Sequence, residues 1–155
     1  MEIRRVVTGH NPQGESCVMI DDNAANATSR RPGHDSRLIW HTDSSPAKFM
    51  GTRDEGAASV GRPPPPNGSI FRVLEIQPGV TAEPHATETI DYAVVISGEM
   101  DMELDTGSVT LRAGDVLVQQ GTKHNWINRG TEPCRFAVVL IDGDRSLTDD
   151  APDQP

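Results

Sequence analysis

Four polar side chains that can bind ligands or transfer protons alternate along a short stretch in the middle of the chain. They are His85, Thr87, Thr89 and Asp91. Successive side chains of a strand point to opposite faces, so residues two apart share one face. If this stretch is extended and has no bulge, it places an imidazole, two hydroxyls and a carboxylate on one face of a sheet. Side chains of these types bind metal ions or exchange protons.

A second group of polar side chains follows further along. His124, Trp126 and Asn128 alternate and share a face by the same rule. If both faces look into one barrel, His85, Asp91 and His124 form the two-histidine, one-carboxylate set of non-haem iron sites, which also suits zinc or manganese. We therefore predict that these three residues bind a divalent metal ion and carry catalysis. The alternative is that both histidines are hydrogen-bonded pocket residues of a metal-free barrel.

These two groups resemble the two sequence motifs of the cupins. In the first motif, a glycine, a His-x-His pair, a glutamate and a glycine stand at positions that correspond here to Gly79, His85, Thr87, Asp91 and Gly98. The second motif corresponds to Gly114, Gln119, Gly121, His124 and Asn128. The resemblance extends from about residue 70 to residue 142, and RRVVTGH and WHTDSSPA nearer the start are also similar to small single-domain cupins.

The resemblance implies a metal site with four protein ligands, and this chain departs from it at two of them. Thr87 stands at the position of the second histidine, and Asp91 stands at the position of the glutamate. The strong ligands that remain are His85, Asp91 and His124. Thr87 is expected to hold a bound water or a substrate oxygen.

Many short apolar runs separated by turn residues predict an all-β protein, either a sandwich or a barrel. The resemblance to the cupins selects the double-stranded β-helix, or jelly roll. We expect one domain with three parts: N-terminal strands and loops packing on the barrel at 1–68, the barrel core at 69–143, and a flexible acidic tail at 144–155.

Strands are predicted where apolar residues alternate or run together. The clearest are SIFRVLEI at 69–76 and CRFAVVLID at 134–142. Shorter strands are expected at 3–8, 16–20, 37–40 and 109–112. The polar stretch 21–36 reads as a loop. The prolines from Pro63 to Pro66 cannot donate ladder hydrogen bonds, so they predict a stiff, extended connector.

Charge and composition exclude several classes of function. The net charge is −9 and no basic stretch opposes it, so nucleic acid and anionic membranes are not expected partners. Cys17 and Cys134 are the only cysteines and stand far apart, which favours a reducing compartment. Neither a signal-peptide pattern nor a run of 18 apolar residues occurs. We therefore expect a cytoplasmic protein.

Functions from different classes fit these residues. One is a metal-dependent enzyme that decarboxylates, dehydrates, isomerises or oxygenates a small organic acid, an enol or an aromatic, polyketide-like compound. The alternative is a non-catalytic barrel that binds a small molecule without metal. In both, the side chains expected to contact the ligand are Thr87, Tyr92, Trp126 and Trp40.

The predicted strands also have a consequence for assembly. Sheet edges need to be covered, and the N-terminal strands suit that purpose, so a homodimer built partly from them is expected. A purely structural or interaction protein is a third possibility, which rests only on the proline run and the expected dimer.

Overall fold

The structure is a computed structural model, and it describes residues 1–28, 31–49 and 51–144. Except for residue 144, the predicted tail at 144–155 lies outside the described residues. Within these ranges, no helix has the length and apolarity needed to cross a bilayer. The strands are β1 (Arg4–His10), β2 (Ser16–Asn23), β3 (His34–Thr42), β4 (Ser69–Ile76), β5 (Thr89–Ser97), β6 (Glu99–Leu104), β7 (Gly107–Arg112), β8 (Val116–Gln120), β9 (Asn125–Ile127) and β10 (Cys134–Asp142), with a 3₁₀ helix at Glu55–Ala57.

Two antiparallel sheets pack against each other to form the barrel. One has five strands in the order β3-β4-β10-β5-β8, and the other has three strands in the order β7-β6-β9. The segment 79–88 lies along β9 through isolated bridges from Thr81 to Ile127 and from His85 to His124. β1 and β2 form a separate hairpin. The architecture is an all-β double-stranded β-helix, so the predicted fold class is confirmed.

The strand bounds follow the sequence pattern most closely at β4 and β10, where apolar alternation or a continuous apolar run predicted the same residues. Elsewhere the strands are longer than predicted. Asn23 pairs with Arg4, and His34 pairs with Ile76, so the polar stretch 21–36 is strand at both ends. Backbone pairing needs no apolar side chain, and composition alone therefore missed these residues.

The main core lies between the two sheets. It consists of Ile76, Val95, Met100, Leu111, Cys134, Phe136 and Val138. Full burial of aliphatic and aromatic side chains of this kind stabilises the fold by about 1.5–3 kcal/mol each. The turn from β5 to β6 requires glycine, because Gly98 has a φ of 76° and an added Cβ would lie 2.5 Å from the carbonyl oxygen of Pro133.

The N-terminus covers part of the outer face of the five-stranded sheet. Met1 and Ile3 pack there against a small cluster that includes Ile39 and Val73. β3 is itself a strand of this sheet and pairs with β4. The first third of the chain therefore contributes a strand and a partial cover to the barrel.

Arg5 fastens the β1–β2 hairpin to the barrel. Its side chain is buried and lies 2.7 Å from Asp22 and 2.8 Å from Asp54. Asp54 also caps the 3₁₀ helix by accepting a hydrogen bond from the backbone N–H of Gly56. The hydrogen bonds to these two carboxylates raise the pKa of Arg5, so its charge is retained.

We expect Arg5→Ala to lower the free energy of unfolding by about 2 kcal/mol or more, because it leaves Asp22 and Asp54 without their shared cation. Arg4 is a matched control, since its pair with Asp21 at 2.8 Å is exposed, and Arg4→Ala should change stability little. Urea unfolding followed by circular dichroism measures both. Equal losses from the two substitutions would contradict an anchoring role for Arg5.

Candidate active site

A cavity of about 510 Å³ lies over the inner face of the five-stranded sheet. Its apolar floor comes from neighbouring strands, and the side chains that form it are Leu74, Leu117, Phe136, Val138 and Leu140. Residues 26–28 and 57–62, which are outside the main sheets, also line it. The cavity is therefore shared between the barrel and the segments that precede it.

His85 and His124 lie side by side in this cavity. Their backbones exchange two hydrogen bonds of 2.9 Å each, and their ring centroids are 4.4 Å apart. We call these two residues the histidine pair. The structure thus brings together two of the three side chains that the sequence predicted to meet.

Hydrogen bonds indicate the tautomer of both rings. The Nδ1 atoms of His85 and His124 lie 2.9 Å from the carbonyl oxygens of Glu83 and Thr122, respectively. A carbonyl only accepts hydrogen bonds, so each Nδ1 carries the proton and each neutral ring keeps a lone pair on Nε2. Burial lowers the pKa of His124, against the opposing hydrogen bond to Thr122, and nearby His85 lowers it further. His124 is therefore poised as a neutral base or ligand.

Asp91 is the third predicted site residue and lines the same cavity. It is 8% exposed, and its Oδ2 accepts a hydrogen bond of 3.1 Å from Gln119 Nε2. Its Oδ1 is buried and has no hydrogen-bond partner among the described residues. Burial raises the pKa of Asp91, against the lowering effects of Thr89 and His85. A buried carboxylate oxygen without a partner costs stability, as is common at functional sites.

The histidine pair has the right chemistry for a divalent metal ion, because both Nε2 lone pairs remain available. Yet no three histidine, cysteine, aspartate or glutamate side chains in the described ranges are grouped closely enough to hold one ion. His85, Asp91 and His124 line the same cavity, and the part of Asp91 as the third ligand stays a prediction. Aspartate is one methylene shorter than glutamate, and Gln119 on the neighbouring strand holds the Asp91 carboxylate. The histidine pair supplies two of the three predicted ligands.

Thr87 and Trp126, two of the predicted ligand contacts, line the cavity. The Thr87 hydroxyl lies 2.7 Å from that of Thr89. The Trp126 ring meets His124 edge-on, with centroids 5.3 Å apart, and also contacts Phe136 at 5.4 Å. Trp126 therefore connects the histidine pair with the apolar floor.

Tyr92 and Trp40, the other two predicted contacts, do not line the cavity. Tyr92 follows Asp91 in β5, so it faces the other side of the sheet, where it is 51% exposed. In β3 the register shifts by one residue between Leu38 and Trp40, which places Trp40 opposite Phe71 on the outer face. Both predictions are corrected by these positions.

The sequence analysis did not propose several polar residues of the cavity lining, among them Arg72 and Gln119. Arg72 stands on the face of β4 that also carries Ile70, Leu74 and Ile76. A charge on an otherwise apolar strand face was the signal available for it. Gln119 had no such signal, because its partner Asp91 is on a different strand.

Comparison with known proteins identifies the family to which this barrel belongs. The family model of the cupin domain matches residues 72–140. A cupin-domain-containing oxidoreductase of Neurospora crassa, srdD, is 34% identical over 148 residues, covering 91% of this chain and 76% of the relative. The phomopsin biosynthesis cluster protein C' of Diaporthe leptostromiformis is 37% identical over 132 residues, covering 81% and 70%.

Among solved structures, the polyketide cyclase RemF of Streptomyces resistomycificus aligns with a TM-score of 0.51 and 21% identity, covering 75% of this chain and 72% of RemF. At this identity the likeness shows a shared fold. The similarity to the fungal relatives extends over most of both chains. On these grounds, the chain belongs to the cupin family.

Proposed function

We propose that this cupin is an enzyme that acts on a small organic acid or enol with aromatic or polyketide-like character, at the histidine pair. One observation carries the proposal: two Nε2 lone pairs adjoin one cavity whose floor is apolar and whose lining includes arginine. The name of one relative, srdD, as a cupin-domain-containing oxidoreductase supports catalysis.

A divalent ion, iron, manganese or zinc, is proposed to bind at His85 and His124. When bound, it supplies a Lewis acid for an oxygen-bearing substrate. The protein supplies the positions of the ligands. The carbonyl groups of Glu83 and Thr122 fix the orientation of both rings through Nδ1, and such outer hydrogen bonds also raise the basicity of the ligand nitrogen.

The residues that line the cavity support an aromatic or polyketide-like substrate. Leu74, Phe136 and Val138 provide an apolar surface for carbon atoms, and Trp126 offers an aromatic ring beside His124. Proteins bind small molecules in cavities of this size, with apolar walls and few polar groups. Asp91 lines the same cavity as the histidine pair and has a buried Oδ1 without a hydrogen-bond partner among the described residues, so we propose that it exchanges a proton with the substrate beside the pair.

A metal-free, non-catalytic binding barrel is the second candidate. The observation that favours it is that the described part of the chain contains no group of three strong ligands. In that case the histidine pair, Thr87 and Asp91 would offer hydrogen bonds to a ligand. Metal content and turnover separate the two candidates.

We expect native protein without an affinity tag to contain about one divalent ion per chain, measured by plasma mass spectrometry. His85→Gln and His124→Gln should each remove most of it, because each deletes one Nε2 ligand. His10→Gln is the control, since His10 is an exposed residue of β1. Metal-free wild type, or the same metal content in all three variants, would contradict the metal proposal.

Asp91→Asn tests the ligand set. Because Asp91 does not complete a group of three with the histidine pair, we expect Asp91→Asn to keep its metal and lose turnover. Loss of metal from this variant, measured in the same way, would restore Asp91 as a ligand.

The stability of Asp91→Asn relative to wild type should depend on pH. Because burial raises the pKa of Asp91, the ionised carboxylate destabilises the folded chain at pH values above that pKa. Asp91→Asn should therefore have a Tm at neutral pH no lower than that of wild type. As the pH falls, wild type becomes protonated at Asp91 and any advantage of the variant should shrink. A lower Tm of Asp91→Asn at neutral pH in calorimetry would show that the charge stabilises the fold.

A further inference from the structure

His34 is a third histidine of the cavity, apart from the histidine pair. It is the first residue of β3 and lines the cavity. The register between β3 and β4 sets His34 opposite Ile76 and Ser36 opposite Leu74. All four residues belong to the lining. His34 therefore stands on the inner face of the five-stranded sheet, at its edge strand.

One nitrogen of the His34 ring has no partner. Its Nε2 atom is buried and forms no hydrogen bond to any residue in the described ranges. A buried polar atom without a partner destabilises a fold, so its presence calls for an explanation. The ring itself is half-buried. A turn about its Cβ–Cγ bond, which is a soft torsion in histidine, brings Nε2 to a ligand in the cavity.

The polar side chains close to His34 in the lining are already engaged. The hydroxyl of Thr28 donates a hydrogen bond of 2.8 Å to the hydroxyl of Ser36. The side-chain amide of Asn26 donates hydrogen bonds to two backbone carbonyl oxygens, at 2.9 Å each. These groups have their partners within the protein, whereas Nε2 of His34 is left for a ligand.

An ion pair connects the turn before β3 with the segment that carries His85. Arg31 lies 2.8 Å from Glu83, and the backbone N–H of His34 donates a hydrogen bond of 3.2 Å to the carbonyl oxygen of Arg31. The carbonyl oxygen of Glu83 in turn accepts the hydrogen bond from Nδ1 of His85. His34 and the histidine pair therefore lie along one wall of the same cavity.

The chemistry of the unpartnered nitrogen selects a hydroxyl group. Burial lowers the pKa of His34, and the neighbouring Arg31 lowers it further, so the ring is neutral at neutral pH. In a neutral imidazole, Nε2 donates in one tautomer and accepts in the other. A hydroxyl can both donate and accept, so it pairs with either tautomer, whereas a carboxylate only accepts.

We propose that His34 binds a phenolic or enolic hydroxyl of the substrate through Nε2, while another oxygen-bearing group of the same molecule lies at the histidine pair. Leu74 and Ile76, beside His34 on the inner face, contact the carbon atoms. The substrate class is therefore aromatic or polyketide-like compounds with a hydroxyl separate from the reacting group. This assignment rests on the proposed function and adds the residue that selects a hydroxylated substrate.

The test compares 1-naphthol with 1-methylnaphthalene, in which a methyl group of similar size replaces the hydroxyl. Equilibrium dialysis gives the ratio of the two affinities for wild type and for His34→Phe, which keeps a planar ring and deletes both nitrogens. In His34→Phe the ratio should shift toward 1-methylnaphthalene by about fivefold or more, because the hydroxyl loses its partner. An unchanged ratio, or no binding of either probe to wild type, would overturn the assignment.

Two further variants locate the effect. His34→Gln keeps a hydrogen-bonding group and should retain part of the ratio. Thr28→Val is the matched control, because Thr28 lines the same part of the cavity but its hydroxyl is paired with Ser36. It should leave the ratio unchanged within about twofold. A shift in Thr28→Val as large as that in His34→Phe contradicts a specific role of His34.

A second measurement needs no substitution and stays decisive if His34→Phe does not fold. Nitrogen NMR of wild type should show a shift of the His34 ring nitrogens on addition of 1-naphthol and none on addition of 1-methylnaphthalene, because only the hydroxyl forms a hydrogen bond with the ring. Equal responses to the two probes would overturn the assignment. So would tighter binding of 1-naphthoate than of 1-naphthol that is lost in His34→Phe, since this identifies a carboxylate.

Failure of this inference is distinguishable from failure of the proposed function. His34→Phe should keep the metal content of wild type, because His34 is not a proposed ligand, and loss of the metal would overturn the hydroxyl assignment. A ratio that depends on His34 in a metal-free wild type supports the assignment and contradicts the metal proposal. Metal and turnover in wild type, with an unchanged ratio in His34→Phe, would do the reverse.

Discussion

The reciprocal backbone hydrogen bonds between His85 and His124 are the constraint on which the site depends. Segment 79–88 joins β9 only through isolated bridges, yet Ala82 donates to the carbonyl oxygen of Trp126 at 2.8 Å along the same edge. Facing residues of antiparallel strands have closely spaced Cβ atoms, so the contact of the two rings follows from the pairing. The side-chain amide of Asn128, further along the same segment, donates hydrogen bonds of 2.9 Å to the carbonyl oxygens of Ile76 and Glu132.

The cavity joins apolar core packing with charged side chains on one face of the sheet. Phe136 and Val138 belong both to the main core and to the cavity floor, so packing that stabilises the fold also shapes the site. The same face admits Arg72 and Asp91, whose desolvation opposes folding. The carboxyl responds with a raised pKa, as burial in a weakly polar environment requires. The polar groups of the cavity are therefore accommodated at a cost in stability.

The first third of the chain is part of the site. Asn26 donates hydrogen bonds of 2.9 Å to the carbonyl oxygens of Gly56 and Ala58, and these segments wall the cavity. The proline connector that follows is not a free spacer, because Pro64 is buried and Gly68 lies so close to Thr42 that a Cβ would approach its carbonyl oxygen to 2.2 Å. The division expected at residue 68 is untested as a domain boundary, but the cavity is built from both sides of it.

The sequence by itself determined the all-β class, the bounds of β4 and β10, and the candidate residues His85, Asp91 and His124, because apolar alternation and motif spacing are local properties of a strand. Tertiary structure alone decided which of those residues meet. A one-residue register shift in β3 turned Trp40 away from the cavity, Gln119 from the neighbouring strand engaged Asp91, and the five-stranded sheet placed Arg72 on the cavity floor. Each outcome depends on pairing between distant segments, which the spacing of residues along one strand does not encode.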